Sequence, residues 1–336
     1  MAKSSSPLAE PCPVPACMFG TLRCLLSSNS RLAIMTDLRI IKLALDWLPN
    51  TIHTGLYIAQ EKGFYAALGL KLELIGPDAT YSKTPAKRLE HGEADLAICP
   101  SESCIAYAQS GKMRLKAIYA ILQRDASAIV STKLSRISEL GSGKVYGSYN
   151  ARYEDDIVKA MIKQDGGNGD GVSIAKHHGM LNLYDSLLSG EVDATWVFMP
   201  WEGEIAVRDG VELQAFRAED YGIPYGYTVI AYDAAAGSLS PETLHAFVSA
   251  TREGYAYAIE NADEAARIMA KDDMTGYPED FLRKSQLAIN SYYSSGKVTE
   301  LGKMTEERWS TWVKWLESQS LLLASSIDIR SLYINP

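Results

Sequence analysis

The sequence predicts an α/β protein of two related lobes, on three observations: its length of 336 residues, an alternation of short apolar runs with amphipathic stretches from Arg39 onward, and one motif that occurs twice about a hundred positions apart. A chain of this length can hold two domains, each with its own buried core. Alternating strand and helix patterns read as βαβ units, which set consecutive strands parallel. The repeat pairs residues 89–98 (LEHGEADLAI) with residues 188–196 (LSGEVDATW). Each copy reads as a helix stopped by Gly92 or Gly190, an acidic turn, and a buried strand opened by Asp95 or Asp193.

Taken in order, the pattern predicts a strand over 40–45, a helix over 54–68 and a strand over 71–75. Further strands are expected at 95–98, 115–122, 128–131, 144–147, 172–175, 194–198 and 227–232. The C-terminal region turns helical, with helices expected at 241–259, 262–271, 278–291 and 305–318, which would clothe the first lobe. Trp309, Trp312 and Trp315 recur every three residues in the last of these and read as a helix face packed on the core. Residues 1–35 are rich in Ser, Pro and Cys and read as a disordered or targeting extension, not a domain. The apolar run 16–26 is broken by Arg23 and lacks a clear cleavage site, so a secretory signal is not the expectation. The protein is expected to be cytoplasmic, or organellar if the extension is a transit peptide; Met35 is an alternative start.

Composition narrows the function. Hydrophobic residues make up 47% and charged residues 22%, values of a folded globular chain. A net charge of -8 leaves no excess of Lys and Arg to neutralise phosphates, so a nucleic-acid or anionic-membrane partner is not expected. No run reaches the roughly 18 apolar residues of a spanning helix. Outside the extension the cysteines are Cys99 and Cys104, which lack metal-site spacing and read as reduced thiols. No nucleophile elbow, zinc-protease helix or phosphate loop is present, so no catalytic or metal-binding set is legible.

The run 46–65 (DWLPNTIHTGLYIAQEKGFY), the following Leu68-Gly69-Leu70, the Gly92–Asp95 turn and the closing Trp312–Leu316 pattern carry a resemblance. They resemble the family that joins bacterial periplasmic formylaminopyrimidine-binding proteins to fungal thiamine-pyrimidine synthases, from about Arg39 to the C-terminus. The resemblance implies a type II periplasmic-binding-protein-like fold, two α/β lobes with a ligand cleft between them. Lobe 1 would be 36–125 plus 226–336 and lobe 2 would be 126–225. It implies a binding protein for a thiamine-pyrimidine precursor, an aminopyrimidine, serving biosynthesis, salvage or uptake, with a membrane permease as partner in the case of uptake. The alternative is a divergent hydroxymethylpyrimidine phosphate synthase. The synthases take pyrimidine atoms from a histidine of the protein and from pyridoxal phosphate. Against them, Cys99 stands where a cofactor lysine is expected and Ser103 where the donor histidine is expected, and no cysteine motif occurs near 223–227. No cofactor is therefore expected, and the balance leans away from an enzyme. A binder of sulfonates or other small acids is a third reading, because a fold does not fix its ligand.

The candidate ligand-binding residues follow. Asp46, Trp47 and Asn50 sit at the carboxyl end of the first strand, where open parallel sheets place ligands; Trp47 can stack on a flat ring, although core packing and a helix cap account for Trp47 and Asn50 too. His53 opens the first helix as a polar contact or a cap. The repeat puts Glu102 and Glu202 in equivalent places, either as partners for the N–C–NH2 edge of an aminopyrimidine or as first-turn helix acids. Trp201 flanks Glu202 in a turn similar to the family's second-lobe binding turn. Tyr149 and Arg152 lie in a segment, 147–153, whose backbone amides can bind an anion. Tyr225 and Tyr227 belong to a Gly- and Pro-containing crossing whose tyrosines can line a cleft. The oligomeric state is not legible.

Overall fold

A computed structural model of the chain describes residues 38–176, 183–272, 275–294, 296–322 and 327–336; the extension expected over 1–35 lies outside the described residues. The strands are β1 (Arg39–Ala44), β2 (Leu70–Ile75), β3 (Leu96–Pro100), β4 (Leu115–Ala120), β5 (Ser127–Ser131), β6 (Val145–Ser148), β7 (Ser173–Lys176), β8 (Ala194–Phe198), β9 (Gln214–Phe216) and β10 (Thr228–Asp233). The helices are α1 (Thr54–Glu61), α2 (Phe64–Ala67), α3 (Pro85–Glu90), α4 (Ser101–Ser110), α5 (Glu154–Gln164), α6 (Leu183–Ser189), α7 (Glu204–Asp209), α8 (Pro241–Glu260), α9 (Ala262–Met269), α10 (Glu279–Tyr293) and α11 (Glu306–Ser318). The single helix expected over 54–68 is broken at Lys62-Gly63 into α1 and α2. The edge strand β9 had no expectation, being three residues long.

Two five-stranded sheets result, in the orders β2-β1-β3-β10-β4 and β7-β6-β8-β5-β9. In each, one strand runs against the rest: β10 is antiparallel to β3 and β4, and β5 is antiparallel to β8 and β9. That strand is the one on which the chain has just arrived from the other sheet, through residues 121–126 or 217–227. The two sheets are therefore built on one plan.

The sequence repeat has a physical counterpart. Gly92 and Gly190 take left-handed φ values of 71° and 80°, which a side chain would oppose. Asp95 then accepts from the Lys42 N–H at 2.9 Å, and Asp193 from the Val145 N–H at 2.8 Å. Each acid thus ties the start of a central strand to its parallel neighbour.

Trp309 and Trp312 on α11 are fully buried, and Trp315 stacks on Trp312 at 5.2 Å, as a core-packed face requires. The C-terminal helices do more than cover the first sheet. Ala266, Met269, Phe281 and Leu282 of α9 and α10 share an apolar cluster with Val130, Leu187, Trp201 and Ile205 of the second lobe. Cys99 and Cys104 are buried free thiols. Among the described residues no helix is long and apolar enough to cross a membrane.

Candidate functional site

The first wall of the site grows from the carboxyl end of β1. Asn50 caps the turn that follows: its Oδ1 accepts from the Ile52 N–H at 2.9 Å and its Nδ2 donates to the Leu48 carbonyl at 3.1 Å. The Asn50 backbone N–H donates to His53 Nδ1 at 3.2 Å, which leaves the ring proton on Nε2, and Nε2 donates to Asp46 Oδ1 at 2.8 Å. His53 is itself wholly buried, so it orients Asp46 from behind. Tyr81 donates its hydroxyl to the Asp46 carbonyl at 2.8 Å and sets its ring 6.0 Å from that of Trp47. The half-buried Trp47 also meets the edge of Tyr149, from the other sheet, at 5.7 Å.

The facing wall is the end of β8 and the turn after it. Residues Met199–Gly203 form a single π turn, an irregularity that often marks a functional site. Glu202 sits in it, half-buried, with its Oε2 accepting from the Phe198 N–H at 2.9 Å. Among the described residues no other residue donates to this carboxyl and no cation pairs with it, and burial pushes it from the ordinary 4.5 to about 7. Trp201 packs edge-on against Tyr277 and Phe281, at 5.2 and 5.1 Å. The Ser285 hydroxyl of α10 bonds both the Pro200 carbonyl of this turn and, at 2.7 Å, the Thr51 hydroxyl of the first wall.

Between the walls lies a cavity of about 230 Å³. Of the residues singled out in the sequence, Asp46, Trp47, Asn50, Tyr149, Trp201, Glu202 and Tyr225 line it, together with Leu122, Asp125, Trp196 and Phe198. Three carboxyls and six aromatic rings thus face one space, and among the described residues no Lys or Arg lines it. That composition suits a flat ligand with donor groups and opposes a sulfonate or another anion.

Four of the singled-out residues lie elsewhere. His53 is the support just described. Arg152 is exposed, with its guanidinium over the Tyr153 ring at 5.8 Å. The amides beside it are already engaged: Tyr149 and Ala151 donate to Glu154 at 3.0 and 2.9 Å, and Asn150 donates to Ser148 Oγ at 3.0 Å. The expected anion site over 147–153 is therefore a self-capped turn. Tyr227 is core, with Arg308 3.9 Å from its ring centre and its hydroxyl accepting from the Thr305 N–H. Glu102 is only 2% exposed and accepts from the Tyr225 hydroxyl at 2.8 Å, so it reaches the cavity through that ring. Cys99 and Ser103 are not among the lining residues. Sequence reasoning missed Tyr81, Trp196 and Asp125; only Trp196 carried a signal, as a ring at the same side-chain phase as Phe198 near a strand end.

The Glu102 environment makes a prediction. Burial raises its pKa from 4.5 to about 7, although the Tyr225 and Ser101 hydroxyls pull it back. The folded state then holds a proton that the unfolded state releases, so the contribution of Glu102 to stability is full below about 4.5 and is lost as pH rises through 7. One such group contributes a slope of at most about 1.4 kcal/mol per pH unit. Urea denaturation of Glu102→Gln should show a flatter dependence than wild type between pH 5 and about 7.5. An unchanged profile would remove Glu102 from the account.

Two sheets of one plan, each receiving a reversed strand from the other, with an aromatic cavity between them, define the type II periplasmic-binding-protein fold. The model of the family described as NMT1/THI5 like matches residues 50–265, and the chain belongs to that family. It is similar to the formylaminopyrimidine-binding protein of Halalkalibacterium halodurans, with 25% identity over 291 residues, covering 85% of this chain and 87% of that one. Among solved structures, the periplasmic aliphatic sulphonate binding protein SsuA of Escherichia coli matches with a TM-score of 0.62 and 12% identity, over 89% of this chain and 92% of that one. The periplasmic nitrate-binding protein NrtA of Synechocystis matches with a TM-score of 0.64 and 15% identity, over 88% and 86%. At such identities these structures speak for the fold alone.

Proposed function

We propose that the protein is a binding protein for a small aminopyrimidine, a precursor of the thiamine pyrimidine, held in the cavity between the two sheets. The observation that carries this reading is the Glu202 carboxyl, which faces an aromatic cavity and has no basic partner among the described residues. The carboxyl can accept from the exocyclic amine of an aminopyrimidine, and with one proton held between it and the ring nitrogen it engages the N–C–NH2 edge through two parallel hydrogen bonds. Trp47 supplies the stacking face. A volume of about 230 Å³ falls below the ~300–1,000 Å³ typical of drug-sized ligands and suits a single ring. The name of the Halalkalibacterium relative supports the same ligand class. In this reading residues 36–125 with 226–336 form one lobe and 126–225 the other, and a membrane permease is the partner where the protein serves uptake.

Calorimetry with formylaminopyrimidine, hydroxymethylpyrimidine and taurine tests the proposal. Binding of a pyrimidine and not of taurine is the expected result; the reverse order would overturn it. Trp47→Ala should weaken the pyrimidine about tenfold, within the ~1–3 kcal/mol of aromatic stacking on a base.

A further inference from the structure

A second cavity, of about 380 Å³, adjoins the first and shares Asp125, Ser127 and Tyr225 with it. Its walls are the two connections between the sheets and the beginning of α11. Three guanidiniums reach it. Arg308 of α11 is fixed in place: it donates to the Gln123 carbonyl of one connection and, at 2.6 Å, to the Gly226 carbonyl of the other, with Tyr227 beneath it. The Arg217 side chain makes no hydrogen bond and no ion pair among the described residues, and acts on Asp125 only through space. Arg124 lies over the Tyr292 ring at 5.0 Å, which leaves the edge of its guanidinium open.

Three carboxyls also line this cavity, and their positions decide its character. Asp125 is turned onto the N–H and O–H of Ser127. Glu219 and Glu307 are exposed at the rim, where water and salt screen them. The unopposed donors inside are therefore those of Arg217, backed by the rigid Arg308. A half-buried guanidinium with no acceptor is a fork-shaped site for one planar or tetrahedral anion.

We propose that this cavity is a second ligand site, for a small molecule bearing one carboxylate or phosphate group, gripped by Arg217 against Arg308 and Arg124. The inference is independent of what the aromatic cavity holds. An occupant touches both connections that join the sheets, and its site shares three residues with the neighbouring cavity. Any effect on affinity there must be returned in equal measure.

The test uses the full chain with arginine side chains labelled for NMR, titrated separately with inorganic phosphate and with acetate. Saturable shifts of the Arg217 and Arg308 signals are expected with at least one of them; phosphate alone points to a phosphorylated ligand, acetate alone to a carboxylate. Arg217→Gln should weaken that binding at least about tenfold, the loss of one charge-assisted pair, with an unchanged thermal midpoint. Arg217→Lys, which keeps the charge without the fork, should fall between and serves if the Gln variant does not fold. Shifts that fail to saturate, or that persist at equal affinity in Arg217→Gln, would overturn the proposal.

Discussion

Glu202→Gln should weaken aminopyrimidine binding by about 1.5–3 kcal/mol, the scale of a hydrogen bond to a charged group, or roughly ten- to a hundredfold. The substitution keeps size and shape, so the loss has a specific origin. In the wild type, one carboxyl oxygen holds the Phe198 N–H that shapes the π turn, and the other is available to the ligand. Glutamine has a single oxygen. If that oxygen keeps the Phe198 bond, an NH2 group faces the ligand's own amine; if it turns to the ligand, a half-buried backbone donor is left unpaired. Either way one acceptor is lost. The wild-type affinity should also change with pH around 7, where the carboxyl titrates, and the variant's should not. Calorimetry across that range would detect both effects, and equal affinities for the two proteins would remove Glu202 from the site.

Gly254→Ala should cost about 3 kcal/mol of stability or more, the upper end of overpacking effects. A Cβ on Gly254 would fall inside contact range of the Gly55 carbonyl oxygen and sit 2.9 Å from Ala59 Cβ, so the backbones of α8 and α1 would have to part. Backbone cannot yield as a flexible side chain does. Parting them also moves Tyr255, whose hydroxyl holds the Ile52 carbonyl at 2.7 Å, and with it the turn that carries Trp47 and Asn50. Urea denaturation should therefore show a lowered midpoint, and the residual folded protein should bind its ligand more weakly. A loss below about 1 kcal/mol would mean that the helices can separate freely.

Much of this architecture is legible in the sequence because it rests on local rules. The strands of both sheets announce themselves as short apolar runs, and the paired Gly92–Asp95 and Gly190–Asp193 turns mark the two halves. Placing Trp47, Tyr149 and Glu202 around one cavity needed the family pattern, since no local signal brings residues from the two sheets together. What stayed illegible is which polar groups pair with which, near or far along the chain. Nothing in the sequence tells that Asn50 N–H points at His53 Nδ1, that Glu154 occupies the amides of the 149–151 turn, or that Tyr225 covers Glu102. Tyr81 lies in a segment with no periodic signal, and its place beside Trp47 is set by the bond to the Asp46 carbonyl.

The shared plan of the two sheets also makes one difference between them meaningful. Each half presents an acid just beyond its third strand, Glu102 in one and Glu202 in the other; a tyrosine hydroxyl masks the first, whereas among the described residues no other side chain bonds the second, which holds the Phe198 N–H. A cavity flanked by twin acids would accept a flat molecule in either of two flipped poses. With one acid silenced, the proposed site has a head and a tail: the donor edge of a bound ring is expected toward the second sheet, and the substituent on its opposite edge toward Asp46.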